Sequence, residues 1–269
     1  AFLTMVLVAG LRDWRIGTDT GDYVRYFLRG DSFADALSVG FRTGEYAYQI
    51  FEWLVYRVTD QYAGLLLAIA LIVVGCYSRA ITAYSSNVAL SFFIFIAMGF
   101  YTFFFNAGRQ GISAGICALA IGPLLERNFR KYLVVIILAA LFQKTALVML
   151  PLYFLLNREN TLLLNMIYAL IGVVAAVSLE KIVEVGAQFD PRYSAYAMAG
   201  EGGGLYISAF NVFLALLFLI FKKNIVVDRE KYSVFLNMLI FGAIISLISA
   251  ALQINPSGIL RLTLYFTAS

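Results

Sequence analysis

Long apolar runs with few charges are the feature that most limits what this chain can fold into. The run from Tyr62 to Tyr84, for example, contains a single charged side chain, Arg79. About 20 apolar residues are enough for one helix to cross a membrane. The other runs are residues 1–11, 87–105, 110–125, 132–156, 162–179, 205–221, 234–254 and 259 onward, of which the first and last are too short to span.

The composition supports the same conclusion. Hydrophobic residues occupy 62% of the 269 positions, and only 36 side chains are charged (20 Lys and Arg, 16 Asp and Glu), whereas soluble domains are about 25% charged. The apolar residues suffice for roughly seven or eight crossings. We therefore predict an all-α fold, a polytopic transmembrane helical bundle that forms a single integral membrane domain over residues 1–269. Because Ala1 is not an initiator Met and both ends stop inside apolar stretches, we expect both ends to be trimmed from a longer chain.

Several classes of function are excluded by what the sequence lacks. It contains no histidine, so Ser-His and Cys-His dyads and His-ligated metals are impossible. Its two cysteines, Cys76 and Cys117, lie in apolar runs and form no CxxC motif. We predict no metal and no cofactor. In a membrane protein, a net charge of +4 is explained by basic residues in the loops that stay in the cytoplasm. We predict that the chain does not bind nucleic acid.

Two basic clusters predict the sidedness of the chain. One lies at residues 127–131 and the other at 222–231, and both should be cytoplasmic. Three apolar runs separate them, so one run must fold back. Residues 132–156 carry Gln143 and Lys144 at their midpoint, where a buried ammonium costs about 2.5–3.5 kcal/mol. We predict a re-entrant hairpin there; the alternative is one long helix with Lys144 facing the bundle interior.

If both basic clusters are cytoplasmic and residues 132–156 form a hairpin, the segments 12–61 and 180–204 should be loops at the outer face. Residues 46–56 have the aromatic, amphipathic pattern of a helix that lies at the membrane interface, and the rival interpretation is a solvated loop with an interfacial anchor. The helix that follows Arg109 carries small residues at helical spacing, which predicts close packing against a neighbour.

Arginines recur at this predicted outer face. Arg109 opens an apolar helix, Arg192 is followed by Tyr193 and Tyr196, and Arg261 lies inside the last apolar run, one turn before Tyr265. Such guanidinium groups need an anion, and several of them together suit a phosphate or diphosphate. An arginine that merely reaches the interface is the alternative for Arg109. Aromatic side chains beside the arginines suit sugar faces.

The order and spacing of these motifs resemble the EpsG family of Wzy-type polysaccharide polymerases over nearly the whole chain. The matching stretches are Arg12 with Gly17, Thr18, Asp19 and Tyr23, the acidic segment at Glu45, Arg109-Gln110 with its small-residue helix, the basic turn 127–131, residues 142–146 (FQKTA), residues 192–196 (RYSAY) and residues 261–266 (RLTLYF). Family members usually carry His within the segment written here as 142–146, where this chain has Gln143 and Lys144.

The resemblance implies a multi-pass glycosyltransferase of the bacterial plasma (inner) membrane. It would polymerise undecaprenyl-diphosphate-linked repeat units into a surface polysaccharide at the outer face, without metal or cofactor. Its partners would be those lipid-linked glycans, the lipid bilayer, and a chain-length regulator and flippase of the same pathway. A lipid-linked oligosaccharide flippase or anion transporter and a glycan ligase are the alternatives.

The resemblance and the residue pattern together suggest a role for each candidate. A carboxylate must take the acceptor proton, because no histidine exists to do so. The candidates are Asp19, Asp22 and Glu45 as catalytic groups, Arg12, Arg109, Arg192 and Arg261 for the diphosphate, and Tyr23, Tyr193, Tyr196 and Tyr265 for the glycan.

Overall fold

The computed structural model describes residues 2–178, 188, 204–251 and 259–267, and these contain helices and no strand. The all-α prediction is confirmed. Among the described residues, three helices are long and apolar enough to cross a membrane, namely Tyr62–Tyr84, Leu205–Asn224 and Arg229–Ala251. A fourth candidate is the pair Val88–Ala97 and Phe100–Asn106, which is bent by 42°. The chain divides into two compact units, residues 1–150 and 151–269.

In the first unit, one long helix packs extensively against two others. Its elements are α1 (Phe2–Gly10), α2 (Thr20–Phe27), α3 (Phe33–Thr43), α4 (Tyr46–Val58), α5 (Tyr62–Tyr84), α6 (Val88–Ala97), α7 (Phe100–Asn106), α8 (Gly108–Leu119), α9 (Ile121–Leu125), α10 (Phe129–Phe142) and a 3-10 helix (Lys144–Val148). Helix α5 packs against both α1 and α8, and α8 packs in turn against α10. Helix α8 is buried along almost its whole length, so its ends are held firmly by its neighbours.

Small residues allow the close approach between α5 and α8. A Cβ atom on Gly115 would lie 3.2 Å from Cys76 Cβ and 3.6 Å from Val73 Cα. Across the opposite contact, Ser113 Oγ donates to the Ala139 carbonyl oxygen of α10 at 3.0 Å. The small-residue pattern of α8 therefore serves packing, as the sequence predicted.

The apolar run 132–156 is broken and turns back, as Lys144 predicted. Helix α10 ends at Phe142, Gln143 adopts an extended conformation, and a 3-10 helix follows. The hydroxyl of Tyr132, near the start of α10, donates to the Met149 carbonyl oxygen at 2.8 Å. A continuous helix would place these two residues about 25 Å apart, so the chain has reversed direction between them.

The second unit is organised around one long, buried helix. It contains α12 (Leu162–Val177), α13 (Leu205–Phe221), a 3-10 helix (Lys222–Asn224), α14 (Arg229–Ala251), α15 (Ile259–Leu262) and α16 (Leu264–Thr267), while α11 (Met149–Leu156) crosses the boundary between the units. Helix α14 packs against α12 and α13. Ser208 Oγ donates to the Ser246 carbonyl oxygen at 2.7 Å, which fixes α13 against α14.

A buried amide network joins the basic turns of the second unit. Asn160 Nδ2 donates to Asn237 Oδ1 at 2.8 Å, and Asn237 Nδ2 donates to the Arg158 carbonyl oxygen at 2.8 Å. Lys222 Nζ donates to the Asn160 carbonyl oxygen. The turns that carry Arg158 and Lys222 therefore lie at the same end of this unit, which is consistent with the predicted parity. The side of the membrane that they face stays a prediction.

Candidate functional site

A loop between α1 and α2 is tied to the junction that precedes α8. Thr18 N–H donates to Asn106 Oδ1 at 2.9 Å, and Thr20 Oγ1 donates to the Phe105 carbonyl oxygen at 2.5 Å. Gly17 has a φ of +106°, and a Cβ atom there would lie 2.8 Å from the Phe105 carbonyl carbon. The turn thus requires glycine. These contacts place α2 beside the first residues of α8.

Arg109, in the first turn of α8, forms a buried ion pair with Glu45. Arg109 Nη1 lies 2.9 Å from Glu45 Oε2, and the Glu45 side chain is only 1% exposed, compared with 25% for Arg109. The guanidinium carbon also lies 5.7 Å from the ring centre of Tyr23 and 5.5 Å from that of Tyr48. Cations are attracted to aromatic faces at such distances. Arg109 is therefore held by one carboxylate and two tyrosines.

Helix α4 presents three polar side chains to this arginine. Glu45 immediately precedes the helix, Tyr48 lies one turn in, and Glu52 lies one further turn along the same face. The Tyr48 hydroxyl and Glu52 Oε1 are both buried and have no hydrogen-bond partner among the described residues. Arg109 Nε is likewise buried without such a partner. The cluster therefore contains buried donors and acceptors that form no hydrogen bond within the described part of the chain.

Burial changes the acidity of two of these groups. It raises the pKa of the Tyr48 hydroxyl well above its usual value, with the Glu52 carboxylate adding to the effect, so the phenol remains a hydrogen-bond donor at neutral pH. Burial also raises the pKa of Glu52 to about 7, although the Arg109 charge opposes this shift. Glu52 consequently exchanges a proton in the neutral range.

Lys144 lies at the same corner of the first unit. Gly44, which caps the C-terminal end of α3, has a φ of +72°, and a Cβ atom there would lie 3.2 Å from Lys144 Cδ. Gly44 directly precedes Glu45, so the break in the run 132–156 brings the Lys144 side chain beside the residue that pairs with Arg109. We call Tyr23, Glu45, Tyr48, Glu52, Arg109 and Lys144 the arginine cluster.

An open depression lies on the other side of α2. It has a volume of about 800 Å³. Trp14 and Tyr62 supply aromatic faces, and Asp22 and Arg25 supply charged groups at its surface. Aromatic rings with adjacent hydrogen-bonding side chains can bind the faces and hydroxyl groups of sugars. The complete lining is Trp14, Thr18, Gly21, Asp22, Val24, Arg25, Leu28, Arg29 and Tyr62.

The three predicted catalytic carboxylates have different environments. Glu45 is buried against Arg109. Asp22 is exposed and forms an ion pair with Arg25 at 2.7 Å. Asp19 immediately precedes α2 and accepts a hydrogen bond from Thr18 Oγ1 at 3.3 Å, but its side chain does not cap that helix. The roles of all three stay predictions.

The predicted diphosphate-binding arginines are not equally placed. Arg109 lies in the arginine cluster. Arg12 is 7% exposed and donates to the backbone carbonyl oxygens of Ala9 and, at 3.5 Å, Phe105. Its guanidinium carbon lies 4.5 Å from the Phe105 ring centre, and burial lowers its pKa to about 10, so it remains charged at neutral pH. Arg12 thus anchors α1 to the Phe105 backbone.

Other predicted residues lie in the second unit or outside the described residues. Arg192, Tyr193 and Tyr196 lie outside the described residues. Arg261 is half-buried on α15, whereas Tyr265 on α16 is only 2% exposed and belongs to the interior of the second unit. Of the predicted glycan-binding tyrosines, the structure places Tyr23 beside Arg109.

Sequence reasoning did not select Tyr48 or Glu52. Both lie in the segment interpreted only as an interfacial helix, whose helical character is confirmed by α4. Their signal was the spacing of 45, 48 and 52, which puts polar groups on one face of an aromatic-rich helix. That face could not be linked to Arg109 without knowing how α4 packs.

Three comparisons with known proteins complete the description of the chain. Searches of curated proteins and of solved structures gave no match. The sequence profile of the EpsG family, a family associated with polysaccharide polymerases, matches residues 1–269, and this chain therefore belongs to the EpsG family.

Proposed function

We propose that this chain is a membrane glycosyltransferase that polymerises undecaprenyl-diphosphate-linked repeat units at the outer face of the bacterial plasma membrane. Membership of the EpsG family supports polymer synthesis. The observation that carries the choice of substrate is the guanidinium of Arg109, held at 25% exposure between Tyr23, Tyr48 and Glu45. A cation held in this way is prepared to bind and neutralise a diphosphate.

The chemistry of the proposed reaction fits the arginine cluster. When the anomeric carbon is transferred, negative charge develops on the departing diphosphate. Fixed positive groups stabilise such charge most effectively where water is excluded. Arg109 supplies one such group and Lys144, beside Gly44, supplies a second. The depression around Trp14 and Tyr62 would hold the glycan that the lipid carries or accepts.

Purified protein in lipid nanodiscs, incubated with synthetic undecaprenyl-diphosphate repeat units, tests the proposal. The expected product is a ladder of chain lengths. Arg109→Lys keeps the charge but loses the planar fork, and we expect at least about a tenfold loss of turnover. Arg79→Lys, at an exposed position on α5, is the matched control. Absence of a ladder with well-folded wild-type protein would refute polymerase activity.

The same material distinguishes the alternatives. A ligase would transfer the glycan once to a different acceptor and would produce no ladder. A flippase would move the lipid-linked glycan across a proteoliposome membrane without forming a glycosidic bond. Each outcome would replace the proposed reaction.

The proposed orientation is tested separately. After Cys76 and Cys117 are replaced, single cysteines at 130, 223, 144 and the exposed position 15 are labelled with an impermeant reagent in intact cells. We expect labelling at 15 and 144 only. Labelling at 223 from outside would contradict the predicted topology.

A further inference from the structure

Two carboxylates face one guanidinium in the arginine cluster, and they are used differently. Glu45 Oε2 accepts from Arg109 Nη1 at 2.9 Å. Glu52 Oε1 is buried but has no hydrogen-bond partner among the described residues. The Glu52 residue as a whole is half-buried, so its side chain is not fully sealed from the surface of the first unit. One carboxylate is therefore committed to the ion pair, and the other is available for a reaction.

The charges around Glu52 explain why it can hold a proton. Burial penalises its ionised form, the exposed carboxylate of Asp31 adds repulsion, and Arg109 favours ionisation; the balance raises the pKa of Glu52 to about 7. A carboxyl group whose pKa is raised towards neutrality by an apolar environment is a recurring feature of proton-transfer sites. The ionisable groups that interact with Glu52 are Tyr48 on its own helix, Asp31 before α3 and Arg109 on α8. Tyr48 in turn interacts with Tyr23 on α2 and with Glu45.

We propose that Glu52 is the catalytic base that takes the proton of the acceptor hydroxyl, while Glu45 positions Arg109. This inference rests on the proposed function. In the step, the acceptor oxygen forms a bond to the anomeric carbon, and the bond from that carbon to the diphosphate oxygen breaks. The electron pair of the broken bond leaves with the diphosphate, and the hydroxyl proton moves to the Glu52 carboxylate.

The other carboxylates are less suited to this role. Glu45 would have to give up its ion pair with Arg109 to accept a proton. Asp22 is already paired with Arg25 in an exposed position, where water competes for every contact. Asp19 remains the rival, since it borders the turn that anchors α2. Among these four carboxylates, Glu52 has a buried oxygen with no hydrogen-bond partner in the described part of the chain, and its charge interacts with that of Arg109.

The first measurement follows single-turnover rates against pH for the wild type, Glu52→Gln and Glu52→Asp in nanodiscs. We expect Glu52→Gln to lower the rate about 10²–10⁴-fold and to remove the rise in rate around pH 7, with substrate Kd little changed. Glu52→Asp should restore part of the rate. Glu45→Gln should instead weaken substrate binding. Glu126→Gln, which alters an exposed carboxylate paired with Lys131, is the matched control.

The second measurement does not depend on polymerisation. In carboxyl infrared difference spectra, the wild type should show one carboxyl group that loses its proton near pH 7 and that is missing from Glu52→Gln. If Glu52→Gln retained the wild-type rate and pH profile, or if Asp19→Asn alone removed the rise, the inference would be wrong. If the wild type formed no ladder, the proposed function would fail, and an extra carboxyl that ionised below about pH 5 would overturn the inference independently.

Discussion

The ion pair between Glu45 and Arg109 offers a quantitative test of how the first unit is held together. A nitrogen-oxygen distance of 2.9 Å corresponds to about 6 kcal/mol of attraction in an effective dielectric constant of about 20. Desolvation of both groups offsets much of this attraction. Removing one partner, however, leaves the other buried and uncompensated, which costs about 3–5 kcal/mol. We therefore expect Glu45→Gln and Arg109→Gln each to lower the free energy of unfolding by about 3 kcal/mol.

The double mutant separates the pair from its surroundings. It leaves no unmatched charge in the pair, so it should cost about 2–3 kcal/mol less than the sum of the single variants. Unfolding in mixed micelles can be followed by the fluorescence of the two tryptophans, Trp14 and Trp53, of which Trp53 lies on α4. The exposed pair Asp22 and Arg25, with side chains 65% and 64% exposed, is the control and should couple by less than about 0.5 kcal/mol. Additive effects at Glu45 and Arg109 would refute the reasoning.

Three further changes have distinct expected outcomes. In thermal denaturation, Gly10→Ala should destabilise the protein by about 1–3 kcal/mol, because a Cβ atom there would lie 2.7 Å from Leu67 Cα. A Cβ atom on Gly75 would have nothing within 4 Å, so Gly75→Ala should be neutral or stabilising in the same assay. The folded-state pKa of Glu52 is raised from 4.5 to about 7, so between these pH values the folded form binds a proton that the unfolded form has lost. The free energy of unfolding of the wild type should therefore fall by up to about 3 kcal/mol, relative to that of Glu52→Gln, as the pH rises through this interval. Parallel pH profiles of the two proteins would contradict this. Trp14→Ala should raise the acceptor KM about 3–10-fold with little change in kcat, and an unchanged KM would exclude sugar stacking there.

The helices themselves could be predicted from local sequence. The run Tyr62–Tyr84 is a helix with the same bounds as the apolar stretch. The break at Gln143 was predicted because an ammonium in mid-membrane is costly. Membership of the EpsG family was predicted from the order of short motifs and is confirmed. The run 87–105, by contrast, is divided at Gly99, whose φ of +78° ends one helix before the next begins; its apolar pattern gave no sign of this bend.

The site was harder to predict because its contacts join distant parts of the chain. Glu45 and Arg109 are 64 positions apart, and they become neighbours because α4 packs against α5 and α10, which both contact α8. The diphosphate-binding role of Arg12 stays a prediction, but its hydrogen bonds to the backbone carbonyl oxygens of Ala9 and Phe105 could not be read from the sequence. Local periodicity therefore predicted the elements, whereas tertiary packing decided which polar groups share a surface.

The absence of histidine gives the arginine cluster its wider significance. A reaction that removes a hydroxyl proton near neutral pH is best served by a group whose pKa lies near that pH. In this chain Gln143 is an amide and cannot serve as a base, and Lys144 supplies a positive charge rather than a proton acceptor. Two carboxylates around one guanidinium offer another route, because pairing with Glu45 leaves Glu52 without a counter-ion of its own. Burial can then bring the pKa of Glu52 into the range that histidine ordinarily occupies, so a site without histidine can still carry out the proposed proton transfer.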